Sequence, residues 1–234
     1  MMATLSQNTQ AILLLTAPLI VGNGKASPEL LSPGEYKRLA KHLVALQKTP
    51  ADLLSTDAQE VIQACNPIIT ADRLMRLLER GFLLTQAVER WRTRAIWVVS
   101  RADPDYPRRL KTRLREDAPA VIYGCGELHL ADAEGLAVVG SRHVDDTLID
   151  YTIAVGQLAA KAGKAVVSGG AKGIDQAAMR GALEAGGKVI DQHAEDAVEQ
   201  RRRAAALHVA YHGGAGLEAG VGVDEVGYPV APAA

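Results

Sequence analysis

The chain has 234 residues, 48% of them hydrophobic and 23% charged, and a net charge of −1. This is the make-up of a globular protein of one large or two small domains. It excludes a disordered chain, and a polycation that would hold nucleic acid by bulk charge; any such binding has to come from a local patch. Cys65 and Cys125 stand far apart in sequence, which fits neither a disulfide framework nor a zinc site and points to a reducing, cytoplasmic setting.

The run AILLLTAPLIV, Ala11–Val21, is apolar, but Pro18 interrupts it and Gly22 follows. It is too short to span a bilayer and lacks the flanks of a signal peptide, so no membrane role is expected. Aromatic residues make up only 4%, so the core must be built from Leu, Val, Ile and Ala.

Residues 5 to 90 read as short helices joined by short turns. Ser32 before Pro33 is a helix start, and Tyr36, Leu39, Leu43 and Leu46 then recur at helical spacing. TPADLLS and STDAQEVIQAC each read as a cap followed by a short helix. TADRLMRLLERGF places Leu74, Leu77 and Leu78 on one face, with Gly81 as the expected C-cap. A packing or interaction module without chemistry is the expectation for this region.

The character changes near residue 93. Ala95–Ser100, Ala120–Gly126, Gly135–Arg142, Lys164–Gly170 and Gly187–Ile190 are short apolar runs, several ending in glycine, and predict strands buried on both faces. DDTLIDYTIAVGQLAAKAG, carrying Leu148, Ile149, Tyr151, Ile153, Val155 and Leu158, and IDQAAMRGALEAG read as helices between the last three of them. Strands alternating with helices predict an α/β fold with a parallel sheet. From Asp191 onward no clear strand is legible; HAEDAVEQRRRAAALHVA reads as a helix and the remainder as a loose tail.

Two glycine loops follow from this layout. VVGSR ends one strand at Val139 and VVSGG ends the next at Ser168, about thirty residues on, the length of one strand–helix–strand unit. Parallel strands joined by a right-handed crossover end at one edge of the sheet, where ligands of such sheets bind. Gly140, Ser141 and Arg142 form one loop; Ser168, Gly169, Gly170, Lys172 and Gly173 form the other. Each combines small residues, a hydroxyl and a cation, and each leads toward a helix N-terminus, which favours anions. Together they read as a phosphate-binding constellation, although neither has the spacing of a dinucleotide fingerprint or a P-loop. The pattern does not separate a nucleotide from a nucleic-acid backbone.

VGSR, VVSGGAKGIDQAAMRGALEAGG and the upstream DPDYPRRL and APAVIYGCG, in that order over residues 93 to 190, closely resemble the Rossmann-like core of the DprA/Smf family of bacterial DNA-processing proteins. The resemblance implies a helical N-terminal region at residues 1–92, a Rossmann-like core at 93–190 and a divergent tail at 191–234. It implies a non-enzymatic protein without a cofactor that binds single-stranded DNA irrespective of base. It also implies dimerisation through that core and help in loading a RecA-type recombinase during DNA uptake by natural transformation. Carried over by motif, the backbone-binding positions are Gly140, Ser141, Arg142, Ser168, Gly169, Gly170, Lys172 and Gly173. Asp175 shares the motif; in a first helical turn its carboxylate suits bonding to backbone N–H groups rather than catalysis. In the family the sheet continues beyond the position of Ile190. Here the following residues do not resemble that continuation, so the sheet is expected to end early at an open edge.

A second class of function stays open: a nucleotide sensor or a hydrolase like the cytokinin-activating phosphoribohydrolases, on a related fold. The P-G-G-x-G-T-x-x-E motif such enzymes carry does not occur in this sequence. Arg101, Arg108, Arg109, Lys111, Arg113 and Arg115 form a basic segment that reads either as a solvated helix face or as a rim tracking phosphates. QRRRAAALH, Gln200–His208, is a second such cluster. Tyr106, Tyr123 and Trp97 are the aromatic candidates for stacking on bases, and each would serve equally as core. His143 follows Arg142. The other histidines (His42, His129, His193, His208 and His212) show no metal-ligand spacing, and no catalytic constellation is legible.

Overall fold

Caps define where the first helices begin. The computed structural model describes residues 5–19, 29–193, 206–212, 222–223 and 229–230, with backbone alone from residue 192 onward. In α1 (Gln7–Thr16) the Ser6 hydroxyl accepts a hydrogen bond from Thr9 N–H. In α2 (Pro33–Ala45) Ser32 and Glu35 satisfy each other's backbone amides in a capping box, as the Ser-Pro start leads one to expect. A 3-10 turn at Pro50–Leu54, α3 (Ala58–Ala64), α4 (Ala71–Leu78) and α5 (Gly81–Thr93) follow. Gly81 opens α5 instead of capping α4, which Glu79 closes without any left-handed residue.

The helical region rests on the sheet. Ile12, Leu13 and Leu14 of α1 share a core with Trp91, Ile96, Val98, Val121 and Tyr123. On the other side of the same helix, Leu15 joins Leu31, Leu39, Leu43, Leu74 and Leu77. Each such fully buried leucine contributes roughly 2 kcal/mol, so α1 is a shared core element, which is why the run Ala11–Leu15 is apolar without a break.

The central sheet contains β1 (Ile96–Ser100), β2 (Val121–Cys125), β3 (Gly135–Ala137), β4 (Ala165–Ser168), β5 (Val189–His193) and β6 (Ala206–His212), in the order β1-β2-β6-β5-β4-β3. The connecting helices are α6 (Arg108–Leu114), α7 (Asp146–Lys161) and α8 (Ile174–Glu184). β3, β4 and β5 run parallel, the Rossmann-like α/β arrangement expected from the alternating pattern. A two-stranded ladder pairs β7 (Gly222–Val223) with β8 (Pro229–Val230). Among the described residues no helix is long and apolar enough to cross a membrane.

Three expectations need correction. β1 and β2 pair antiparallel, because the chain between them leaves and returns at one end of the pair, which Arg101 N–H closes onto the Ala120 carbonyl at 2.9 Å. Residues 206–212, read from the sequence as the end of a helix through Ala210 and the start of a loose tail, form β6, parallel to β2 and antiparallel to β5. Leu207, Val209 and Tyr211 alternate with the period of a strand, and the facing backbones of β2 and β5 supply its ladder. The sheet therefore does not end at β5; among the described residues its two edge strands are β1 and β3. β3 is three residues long and exposed at every position, not buried on both faces, whereas the other edge strand, β1, is covered by α1 and α5. Residues 194–205, which include most of the second basic cluster, lie outside the described residues.

α7 and α8 cover one face over β4 and β5, with Ala159, Ala178, Met179 and Ala182 against Val166 and Val189. They touch backbone to backbone: a Cβ at Gly156 would collide with the Ala178 carbonyl, and one at Gly181 with that of Ile153. The opposite face carries Val99, Tyr106, Ala118, Ile122, Leu130, Ala165 and Ile190.

Candidate phosphate-binding edge

The β3–α7–β4 unit brings the two glycine loops to one edge, and they touch. Val138 N–H donates to Val167 O at 2.9 Å, extending the pairing one residue beyond β3 before the chain opens into Gly140–Arg142. Ile174 N–H then donates to Ser141 O at 3.2 Å, and Gly140 N–H to Asp175 Oδ1 at 3.1 Å. Gly173, at φ +85, passes so close to the Ser141 carbonyl and the Arg142 backbone that no side chain has room. A Cβ on Gly140 would fall 2.6 Å from Ile174 Cβ. The two loops are thus built as one unit.

The side chains named from the sequence divide into two groups. Ser168 is 3% exposed, and its hydroxyl donates to the Val138 carbonyl at 2.7 Å. The Ser141 hydroxyl donates to His143 O at 2.9 Å and accepts from His143 N–H at 3.2 Å. Both hydroxyls are used within the fold. Arg142 and Lys172, in contrast, are exposed and form no ion pair among the described residues. Nor do the amides of Gly169, Gly170, Ala171 and Lys172 donate to any described acceptor. Gly170, at φ +67, lies over Asp191, so that a Cβ there would stand 2.9 Å from Asp191 Oδ1.

The two helix N-termini also differ, against the expectation that both loops lead into anion-binding ends. Asp145 caps α7, accepting from Leu148 N–H at 2.8 Å, and Asp146 follows in the first turn. Those carboxylates already occupy the positive end of the dipole. α8 has Gly173 at its N-cap, with no side-chain acceptor, and Lys172 just before it. Gln176 braces this loop: its N–H bonds Ala171 O and its side-chain amide bonds Gly170 O, each at 3.2 Å.

Asp191 was not singled out in the sequence, although an acid directly after the apolar end of β5 is a usable signal at a ligand edge. It is 3% exposed. Asp175, 6% exposed, bonds the neighbouring loop instead of its own helix, a contact between residues distant in sequence that no local pattern encodes.

The basic segment stays at the surface, and the aromatic candidates pack within the fold. No residue of α6 is buried, and its first amides, those of Arg108 and Arg109, donate to the Asp132 carboxylate at 3.0 and 2.9 Å. Nearby, Glu116 and Asp117 are held by Lys37 and Lys41. Tyr106 is core, its hydroxyl pushed up to about 12 by burial and donating to Pro119 O. Tyr123 packs edge-on to Trp91 at 5.2 Å, and Trp97 donates to Gly126 O. Among the described residues no cluster of His, Cys, Asp or Glu could hold a metal ion.

Residues 97–204 match the family described as DNA recombination-mediator protein A, a span that runs past Ile190. Among solved structures the chain is similar to DNA processing protein A (DprA) from Streptococcus pneumoniae, at 18% identity and a TM-score of 0.51, over 92% of this chain and 71% of that one. At that identity the likeness is one of fold. No curated protein matches the chain.

Proposed function

We propose that this chain, which belongs to the DprA/Smf family through residues 97–204, is a non-enzymatic protein of DNA processing and recombination that holds the phosphate backbone of single-stranded DNA at its two glycine loops. The observation that carries this reading is the run of amides at Gly169–Lys172, leading into α8, that donate to no described acceptor, beside Arg142 and Lys172, which form no ion pair among the described residues. Phosphate oxygens accept such N–H groups, and no described residue accepts from them. Gly140, Ser141, Ser168 and Gly173 hold the loops in register; Arg142, Lys172 and the amides of Gly169 and Gly170 make the contacts.

Backbone contacts carry no sequence information, so binding is indifferent to base. With Tyr106 and Tyr123 in the core, affinity comes from charge and amides more than from stacking. The same reading takes residues 1–92 as a helical region, 93–190 as the DNA-binding core and 191–234 as a divergent tail. It places the protein in the cytoplasm, as a homodimer that passes single-stranded DNA to a RecA-type recombinase during DNA uptake.

The test is binding to fluorescent oligo-dT of several lengths at two salt concentrations, beside the Arg142→Ala/Lys172→Ala double variant. The expected result is affinity that rises with length, falls with salt and is lost in the variant. A folded protein that ignores oligo-dT overturns the reading.

A further inference from the structure

Behind the glycine loops stand two buried carboxylates. Asp175 reaches from the first turn of α8 to the amide of Gly140, and Asp191 on β5 lies directly beneath Gly170. An anion site commonly gathers positive charge from every side; this one sets fixed negative charge under two exposed cations. A ligand carrying one negative charge meets both cations and feels each carboxylate once. A ligand carrying two charges on one phosphate doubles its attraction to the cations and its repulsion from the carboxylates alike, so the second charge gains little, while the cost of stripping water from the phosphate rises roughly with the square of its charge.

We infer that Asp175 is a specificity-determining residue of this edge, tying the two loops together and setting the site to accept the singly charged phosphodiester of a strand while rejecting the doubly charged phosphate of a nucleotide or strand end. The inference rests on the proposed binding of a DNA backbone and names the form of phosphate bound. It also accounts for a carboxylate placed where an uncharged side chain could receive the same hydrogen bond: an asparagine oxygen would accept from Gly140 N–H, but it would leave the site open to dianions.

The test is competition against labelled oligo-dT by two small probes: thymidylyl-thymidine, whose phosphate is a diester, and thymidine monophosphate. In the wild-type protein at neutral pH the monophosphate is expected to compete about tenfold more weakly, or worse. Asp175→Asn, with its fold checked by circular dichroism, is expected to narrow that gap to about twofold while still binding oligo-dT. Asp175→Ala, which also releases Gly140, weakens binding of every probe.

A second measurement needs no variant. The monophosphate takes its second charge near pH 6, so its competition should weaken as pH rises past that point while the diester's does not. The charged and titratable groups around the edge, Arg142, His143, Asp145, Lys172, Asp175 and Asp191, act on both probes, and the ratio of the two isolates the charge of the ligand. An unchanged gap in Asp175→Asn, or a monophosphate that competes as well as the diester in wild type, overturns the inference while the DNA reading stands. Failure of the folded wild-type protein to bind oligo-dT removes the DNA reading, and the inference with it.

Discussion

The two glycine loops share a sheet edge and a composition, yet the fold uses them differently. In Gly140–Arg142 three polar groups are bonded within the fold: Gly140 N–H to Asp175, Ser141 O to Ile174 N–H, and the Ser141 hydroxyl to His143. The helix that follows is capped by its own Asp145. In Gly169–Gly173 the amides of Gly169–Lys172 point to no described acceptor, and the helix that follows begins on a bare glycine. In the proposed reading the first loop is a brace that presents Arg142 and the second is the gripping surface. Similar residues sit in different surroundings because of what lies behind them.

The sharpest way to break this contrast is at the contact between the loops. Gly173→Ala forces a Cβ into the Ser141 carbonyl from a backbone conformation that only glycine adopts readily. It should destabilise the protein by about 3 kcal/mol in urea unfolding and abolish DNA binding with it. Ser168→Ala removes one buried hydrogen bond, to Val138 O. About 1–2 kcal/mol of stability should go, while oligo-dT affinity in the folded protein changes little, which marks Ser168 as a brace. A large loss of affinity at unchanged stability would place its hydroxyl in the grip instead.

Lys172→Ala should act the opposite way. Unfolding free energy should stay within about 0.5 kcal/mol, while the plot of log affinity against log salt should flatten by about 0.7. The smallest effect is a control far from both loops. The Arg73 guanidinium hydrogen-bonded to Glu35 holds that carboxyl at about 2, against an ordinary value of 4.5. A folded-state value below the unfolded one means stability that is complete above pH 4.5 and is lost as pH falls toward 2. Glu35→Gln should flatten that limb of the Tm profile without altering DNA binding at neutral pH.

Much of this molecule was legible because the signals were local. Ser32-Pro33 marks the start of α2 and Glu35 closes its capping box, all within one turn. The apolar runs ending near Ser100, Cys125 and Ser168 became β1, β2 and β4, since a buried strand needs little more than four or five consecutive apolar residues. β3 came out shorter and more exposed than its apolar run suggested: VVGSR reads the same whether or not a strand lies on its far side, and among the described residues none does. β6 was missed because alanine and arginine mask the alternation of Leu207, Val209 and Tyr211, and its pairing partners lie far away in sequence.

At the candidate site the positions of the glycines, Arg142 and Lys172 follow from sequence spacing, since one strand–helix–strand unit carries both loops to one edge. The sequence by itself determined the α/β alternation, the helix starts and the pairing of these loops, all of which depend on neighbours within one turn or one crossover. Only the tertiary structure decided which amides of the two loops are bonded within the fold, that Ser168 faces inward, and that Asp175 and Asp191 lie behind the loops. Those facts depend on contacts between residues distant in the chain, and a hydrogen bond from Gly140 to Asp175 has no period, cap or spacing by which to announce itself.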